Sequence, residues 1–450
     1  MAVPGADRGR AGGHAGRRVG GGNRLPAVSV TAVGAAEPAG AAEPAGARRP
    51  LLKDPNFLRL WLAGACAATA RWLEMLAVGI FVFEVTGSAF LVAAMLMLRM
   101  LPLALFGAWT AEIAGRFDRR RVLLAVTAGL TVLSAVFAGL AFLGRLTVWH
   151  VAVGAFLTGI AWAMDFPVRR TLLADVAGAA RLGAAMSLDT VASSGTRMAG
   201  PLLGGGLYAA AGMDGAFLLM AVVQALALLI LLGLPAAARH ASTRAAGVVG
   251  ALRTALSELR GLPAVQGVLA VTVVFNVWCF PVISMVPVLG SEQLRLGPFE
   301  VGVLASMEGL GSLLGAMGLA AFARHGQFRA LFVLSVLLYL LVAVGFANAT
   351  DALLAGTLLF VLGVSMAAFA AMQSTLMLLG APDASRHRMM GLLSVFIGTG
   401  PIGFAHLGLL TAWLDTAVAC TIVALEGLVA LAVVALKWPL LGRERQRALS

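Results

Sequence analysis

From Phe57 onward the chain alternates long apolar runs with short polar loops, and the runs have the length that about 20 helical residues need to cross a bilayer. The pattern predicts twelve spans, at about 58–83, 88–110, 121–143, 148–167, 184–208, 215–235, 263–289, 299–322, 329–347, 352–373, 390–413 and 416–437. Two of them, 58–83 and 263–289, are longer than a straight crossing requires, which predicts tilt or a kink.

The polar stretches divide the chain. Residues 1–52 are rich in Gly, Ala, Pro and Arg, with "AAEPAG" twice in tandem. Such a segment buries too little apolar area to offset its ordering entropy, so a disordered basic tail is expected. No continuous apolar run precedes Leu51, which argues against a secretory signal. The one long internal polar segment, 236–261, separates a first half (53–235) from a second (262–437), and a basic tail (438–450) follows. Within the linker, "VVGALRTALSEL" has helical apolar spacing and is expected to lie along the membrane surface. The halves look related. "AGRFDRRRVLL" aligns with "FARHGQFRALF", placing Arg116 on Arg324 and Arg121 on Arg329, and "GPLLGG" (Gly200–Gly205) finds a counterpart in "GPIG" (Gly400–Gly403).

Charge then orients the spans. Lys and Arg number twenty-three in the tails near the membrane, the even-numbered loops and the linker, against two (Arg145 and Arg295) in the odd-numbered loops. Loops rich in Lys and Arg stay in the cytoplasm, so both termini are expected inside. The same sorting explains the net charge of +12 as topology rather than a nucleic-acid face. Composition agrees: 60% of residues are hydrophobic and 12% charged, against roughly 25% charged in a soluble domain. Cys66, Cys279 and Cys420 lie far apart in apolar runs and read as buried packing residues.

Chemistry is sparse. There is no phosphate-binding Gly-x-x-x-x-Gly-Lys-Ser/Thr loop, no HExxH or other metal-binding set, and no Gly-x-Ser-x-Gly elbow. The chain is therefore not expected to be an enzyme, to use a cofactor or to hold a metal. What stands out is charge inside the spans: Arg71 and Glu74 in span 1, Arg99 in span 2, Asp189 and Arg197 in span 5, Glu308 in span 8, His406 in span 11 and Glu426 in span 12. A charge at the bilayer centre costs at least about 2.5 kcal/mol, so each needs a partner or a wet cavity. Arg71 and Glu74, on neighbouring turns, could simply neutralise each other. The alternative is a role in substrate binding or proton coupling, with Glu74 or Asp189 as proton carrier and Arg71, Arg99 or Arg197 as its counter-charge. Asn276, Gln224 and Gln373 add little by themselves.

"NFLRLWLAG", "FEVTGSAFLVA", "RFDRRRVLL", "DFPVRRTLLADV", "GPLLGG" and "APDASRHRMMGLLS", in this order, resemble the major facilitator superfamily, and most of all its enterobactin-exporter-like branch of bacterial efflux permeases. The resemblance covers about residues 53–437. It implies an all-α membrane protein of twelve helices in two six-helix bundles, with a central cavity onto which spans 1, 2, 5, 8 and 11 open. Arg71, Glu74, Arg99, Asp189, Arg197, Glu308 and His406 would then be cavity residues, while Glu426, on a peripheral span, would be structural.

The loop after span 2 is the superfamily's signature and here reads Ala111, Gly115, Arg116, Asp118, Arg119 and Arg120, without the usual leading Gly and central Asp. The resemblance implies a cytoplasmic gate there, with Glu112 or Asp118 replacing the missing acid and Asp165 placed to meet an arginine. "TRMAGPLLGG" resembles a pattern of proton-coupled exporters and marks Gly200, Pro201, Gly204 and Gly205 as a hinge or packing element. The expectation is a monomeric, proton-coupled exporter of a small amphipathic molecule in a bacterial inner membrane. Its partners would be substrate, protons and lipid, without nucleic acid. Uptake or lysophospholipid flipping by the same fold, and a non-transporting sensor, are the alternatives.

Overall fold

The computed structural model describes residues 50–116, 118–178, 181–235, 248–322, 325–382 and 385–438. The tail 1–49, most of the linker's first half and the last twelve residues lie outside them, and so does the expectation of disorder for the tail. The described residues form helices and no strands: α1 (Pro55–Thr86), α2 (Ala89–Arg116), α3 (Arg119–Phe142), α4 (Val148–Ala177), α5 (Leu182–Leu232), α6 (Val248–Leu259), α7 (Pro263–Val274), α8 (Val286–Glu292), α9 (Pro298–Phe322), α10 (Phe328–Ala347), α11 (Ala352–Gly380), α12 (Arg386–Ile397), α13 (Gly400–Thr411) and α14 (Thr416–Lys437).

Among the described residues, eleven helical segments are long and apolar enough to cross a membrane. One of these, α5, makes two crossings. Its 51 residues are helical except at Gly212, where φ is 66°. A residue with a side chain resists that left-handed conformation and glycine does not. Both ends of α5 lie at the same end of the molecule as the start of α1. Arg181 pairs with Asp54 at 3.8 Å, and Arg59 donates to the Gly233 carbonyl at 2.6 Å. The arms 182–211 and 213–232 are spans 5 and 6, joined by one glycine instead of a loop. The twelve expected spans are all present. Several run past their expected limits, α4 to Ala177 and α11 to Gly380.

Local chemistry sets the other boundaries. Asp54 caps α1 by accepting from Asn56 and Phe57, Pro55 takes the first helical position, and Gly87 at φ 59° ends the helix. Asp118, Asp351 and Asp415 cap α3, α11 and α14 with their carboxylates. The long span 7 is kinked, as its length predicts. Between α7 and α8 it passes through a π turn (Phe275–Cys279) and a 3-10 stretch (Phe280–Met285) that holds Pro281. Asn276 donates to the Thr272 carbonyl at 2.9 Å and so serves the disturbed backbone, while Gln373 donates to the Thr272 hydroxyl at 2.9 Å and ties α11 to α7.

In the first half α1 and α3 pack on α5, and α2 packs on α4. In the second, α11 packs on α9 and α10, and α10 on α14, around stacked Phe275 and Phe369 with ring centres 3.8 Å apart. The halves meet along α5 with α9, α2 with α13 and α1 with α8. The tightest seam is α5 against α9. A Cβ on Gly205 would lie 2.7 Å from the Gly302 Cα, so only two glycines allow that approach. This contact lies toward the end opposite the basic loops. Thr190, two turns from Arg197 toward the basic end on the same face of α5, is exposed. At the basic end α6 forms the helix expected from its spacing, and its Glu258 takes a two-pronged contact from Arg388 at the start of α12, at 2.6 and 3.0 Å.

Candidate functional site

At mid-depth between the halves is a cavity of about 50 Å³, walled by α1, α2, α5, α9 and the broken span 7. That is room for a few waters. Most of its lining is apolar and includes Met75 and Met95. The exceptions are five side chains that the sequence places in spans: Glu74, Arg99, Arg197 and Glu308, with Ser284.

The charges pair in a way that sequence spacing did not show. Glu74 accepts from Arg99 at 3.0 Å, an α1–α2 contact inside the first half. Arg197 donates to Glu308 at 2.7 Å, an α5–α9 contact from one half to the other. Both partners are withdrawn from solvent, Glu308 to 3% exposure and Arg197 to 14%. The backbone brings them together. A Cβ on Gly309 would lie 2.4 Å from the Met198 nitrogen, so the turn after Glu308 presses directly on the turn of Arg197. Arg197 also covers the ring of Trp72 at 4.5 Å.

Arg71 does not pair with Glu74. Side chains three apart can meet on a helix, but Glu74 turns to Arg99, and the Arg71 guanidinium carbon lies 5.6 Å from the centre of the Trp162 ring on α4. Neither Asp189 nor His406 lines the cavity. Asp189, eight positions into α5 on the basic side, pairs with Arg170 at 3.4 Å. His406 contacts Glu426 at 2.6 Å, and Glu426 also accepts from the Trp278 indole at 3.1 Å. The His406 and Glu426 side chains are 36% and 42% exposed, on the second half's own helices. The acids and bases therefore do not gather at one depth: four of the seven expected cavity residues line the cavity.

The gate residues also sort differently. Asp118 is spent capping α3, through the Arg120 and Arg121 amides. Asp165 pairs with Arg169 one turn along α4, at 2.5 and 3.0 Å, and not with a loop arginine. The acid that meets the loop is Asp175, bound by Arg119. Arg120 donates to the Leu232 carbonyl at 3.0 Å and fastens span 6. The side chains of Glu112 and Arg116 lie outside the described residues. The Gly200–Gly205 segment is continuous helix, with the only non-helical dihedrals of α5 at Gly212. Gly200 and Gly204 face Trp72 and Leu73 of α1, and Gly205 faces α9, so the element packs and does not break.

Residues that sequence reasoning missed are Asp175, Trp72, Trp162 and Trp278. The signal available for three of them was proximity: Trp72 follows Arg71, Trp162 lies one turn from Asp165, and Asp175 follows the Arg169–Arg170 pair along one helix, whereas Trp278 has no charged neighbour in sequence. Tyr208, which donates to Glu84 at the end opposite the basic loops, gave no such sign.

Comparison with known proteins gives the same architecture. The family profile described as Major Facilitator Superfamily matches residues 60–443. The uncharacterized MFS-type transporter YfiS of Bacillus subtilis (strain 168) is 26% identical over 191 residues, covering 42% of this chain and 44% of that protein. Macrolide efflux protein A of Streptococcus pyogenes is 26% identical over 112 residues, 25% of this chain and 28% of that protein. The chain thus aligns with less than half the length of these relatives. A crystal structure of a POT family transporter in complex with 5-aminolevulinic acid superposes with a TM-score of 0.69 at 13% identity, over 85% of this chain and 96% of that one. At that identity the likeness concerns the fold.

Proposed function

The chain belongs to the Major Facilitator Superfamily and is a membrane transporter of that fold, and from that premise we propose that it exports a small amphipathic organic molecule in exchange for protons. The observation that carries this reading is the Arg197–Glu308 pair. It is the ion pair that ties the first half to the second across the wall of the central cavity.

Alternating access requires the two halves to rock about a midplane site. A buried pair joining them holds one arrangement until a charge is removed or replaced. A proton on Glu308 leaves Arg197 without its counter-charge, and a substrate that occupies Arg197 does the same to Glu308. Either event releases the clasp, while the empty, unprotonated carrier stays held. This arrangement exchanges substrate for protons with little leak. Glu74 and Arg99, in the same wall, set the local charge, and Met75 and Met95 supply an adaptable apolar surface.

Loop charge orients the helices: by the positive-inside rule the basic end, and with it both termini, faces the cytoplasm on this reading. The relation to Macrolide efflux protein A and the resemblance to the enterobactin-exporter-like branch favour export. Arg119 with Asp175, and Arg120 with the end of span 6, belong to the cytoplasmic gate on this reading, and a single chain suffices for transport.

The test is transport in proteoliposomes under an imposed pH gradient, with a panel of amphipathic substrates. Gradient-driven transport by the wild-type protein, lost in Glu308→Gln, is expected. Transport indifferent to the gradient, with Glu308→Gln unchanged, would overturn the reading, and movement of substrate with the proton would make the protein an uptake carrier.

A further inference from the structure

We propose that Arg71, with the indole N–H of Trp162, forms a binding site for the anionic group of an aromatic substrate, a carboxylate or its like. The proposal rests on the transport reading above and specifies the chemical class that the cavity region accepts.

The argument starts from pairing. Four arginines and three carboxylates cluster on the first half's inner helices and the facing turn of α9. Each carboxylate has its own arginine: Glu74 with Arg99, Asp165 with Arg169, and Glu308 with Arg197. Arg71 is left over. Among the described residues it has no carboxylate within ion-pair distance and no hydrogen-bond acceptor, only the Trp162 ring at 5.6 Å. Its electrostatic neighbours are Arg99, Arg169 and Arg197 and a single acid, Asp165, whose two oxygens are already held by Arg169. An arginine surrounded by cations inside a span is costly without an anion.

Unused donors lie on the same contact. Five buried side-chain N or O atoms lack a hydrogen-bond partner among the described residues, and two of them, Trp162 Nε1 and Arg169 Nη1, belong to the face of α4 that meets α1. Both are donors, and buried donors without acceptors are rare in folded proteins. The helices explain the grouping. On α1, Arg71 lies two turns from Gly64, whose face meets the Arg169 side chain. On α4, Trp162, Asp165 and Arg169 share one face. The α1–α4 contact is thus a strip rich in donors and short of acceptors, at the side of the cavity toward the basic end. Arg71 itself is partly exposed there.

An anion with a flat apolar body satisfies this strip. Its oxygens take the Arg71 fork and the Trp162 indole N–H, and its ring lies against the Trp162 ring. A cation meets three arginines and gains nothing. Export also agrees in sign, since moving one negative charge out of an inside-negative cell gains about 2.3 kcal/mol per 100 mV.

The test uses three probes with one ring: 1-naphthoate, 1-naphthamide and 1-naphthylmethylammonium. Binding to the full-length protein in nanodiscs is measured by isothermal titration calorimetry. The naphthoate is expected to bind at least about tenfold more tightly than the amide, and the ammonium not measurably. Arg71→Gln should abolish the preference for naphthoate over amide, Arg71→Lys should keep part of it, and Trp162→Phe, which keeps a ring and removes the N–H, should reduce it. Tightest binding of the ammonium, no binding of any probe, or an anion preference that survives Arg71→Gln would overturn the proposal. The parent reading fails separately. If naphthoate binds through Arg71 but no substrate moves under a pH gradient, the anion site stands and the transport mechanism falls. If Glu308-dependent transport occurs while naphthoate does not bind, the reverse holds.

Discussion

Two ion pairs share the wall of one cavity and differ in what they join. Glu74–Arg99 connects α1 to α2, neighbours that stay together in a six-helix unit, whereas Arg197–Glu308 connects α5 to α9 across the seam between units. The first neutralises charge where lipid and a small cavity offer little water. The second does that and, on the proposed reading, would also report relative movement of the halves, because its two charges sit on opposite sides of the seam. A third pair, His406–Glu426, sits apart on the second half's helices and is more exposed. Equal chemistry thus serves three purposes according to the surfaces it bridges.

The largest effect should come from Arg197→Leu, which leaves Glu308 buried with no partner at a cost of roughly 3–5 kcal/mol. Thermal unfolding in detergent should report a clear loss, and adding Glu308→Leu should recover most of it without restoring proton-coupled transport. Glu74→Gln should cost less, about 1.5–3 kcal/mol, because the amide oxygen still accepts from Arg99. It should not shift the balance between open and closed seam, read as labelling of Thr190→Cys by a polar thiol reagent. Gly302→Val should do the opposite. It wedges the α5–α9 seam where a Cβ already meets the Gly205 Cα at 2.9 Å. An effect of about tenfold on Thr190→Cys labelling, or about 1.4 kcal/mol of population, is expected, with little change in unfolding temperature. His406→Gln should be the mildest, within about 1 kcal/mol in stability and without effect on coupling, since an exposed pair contributes little.

Which spans exist was legible from apolar run length alone, and the basic loops were legible from charge. Partnership inside the membrane was not. Arg71 and Glu74 are three apart and read as a pair, yet helix spacing shows only that two side chains can meet, not whether a better partner waits on the next helix. Arg99, twenty-five residues away, is that partner. Asp189 read as a cavity acid because its depth was judged from span limits, and a shift of a few residues places it beside Arg170. Asp118 read as a gate acid, but an aspartate before a helix start is claimed first by its own backbone amides. The Gly–Pro motifs also diverged: "GPLLGG" runs through an unbroken helix, while "GPIG" opens α13 just after a break. The surrounding packing decides that, and sequence identity of the motif does not encode it.

The seam between Gly205 and Gly302 has one more consequence. There the two halves touch backbone to backbone, with the Pro298 carbonyl 2.5 Å from where a Gly205 Cβ would be. Such a surface works as a plain bearing. It has no rotamers to reset and no interlocking side chains to lift over one another, so at this seam little would resist rocking. On the proposed transport reading, the part of the α5–α9 contact left to hold the halves is the Arg197–Glu308 pair, where a proton or a substrate would act.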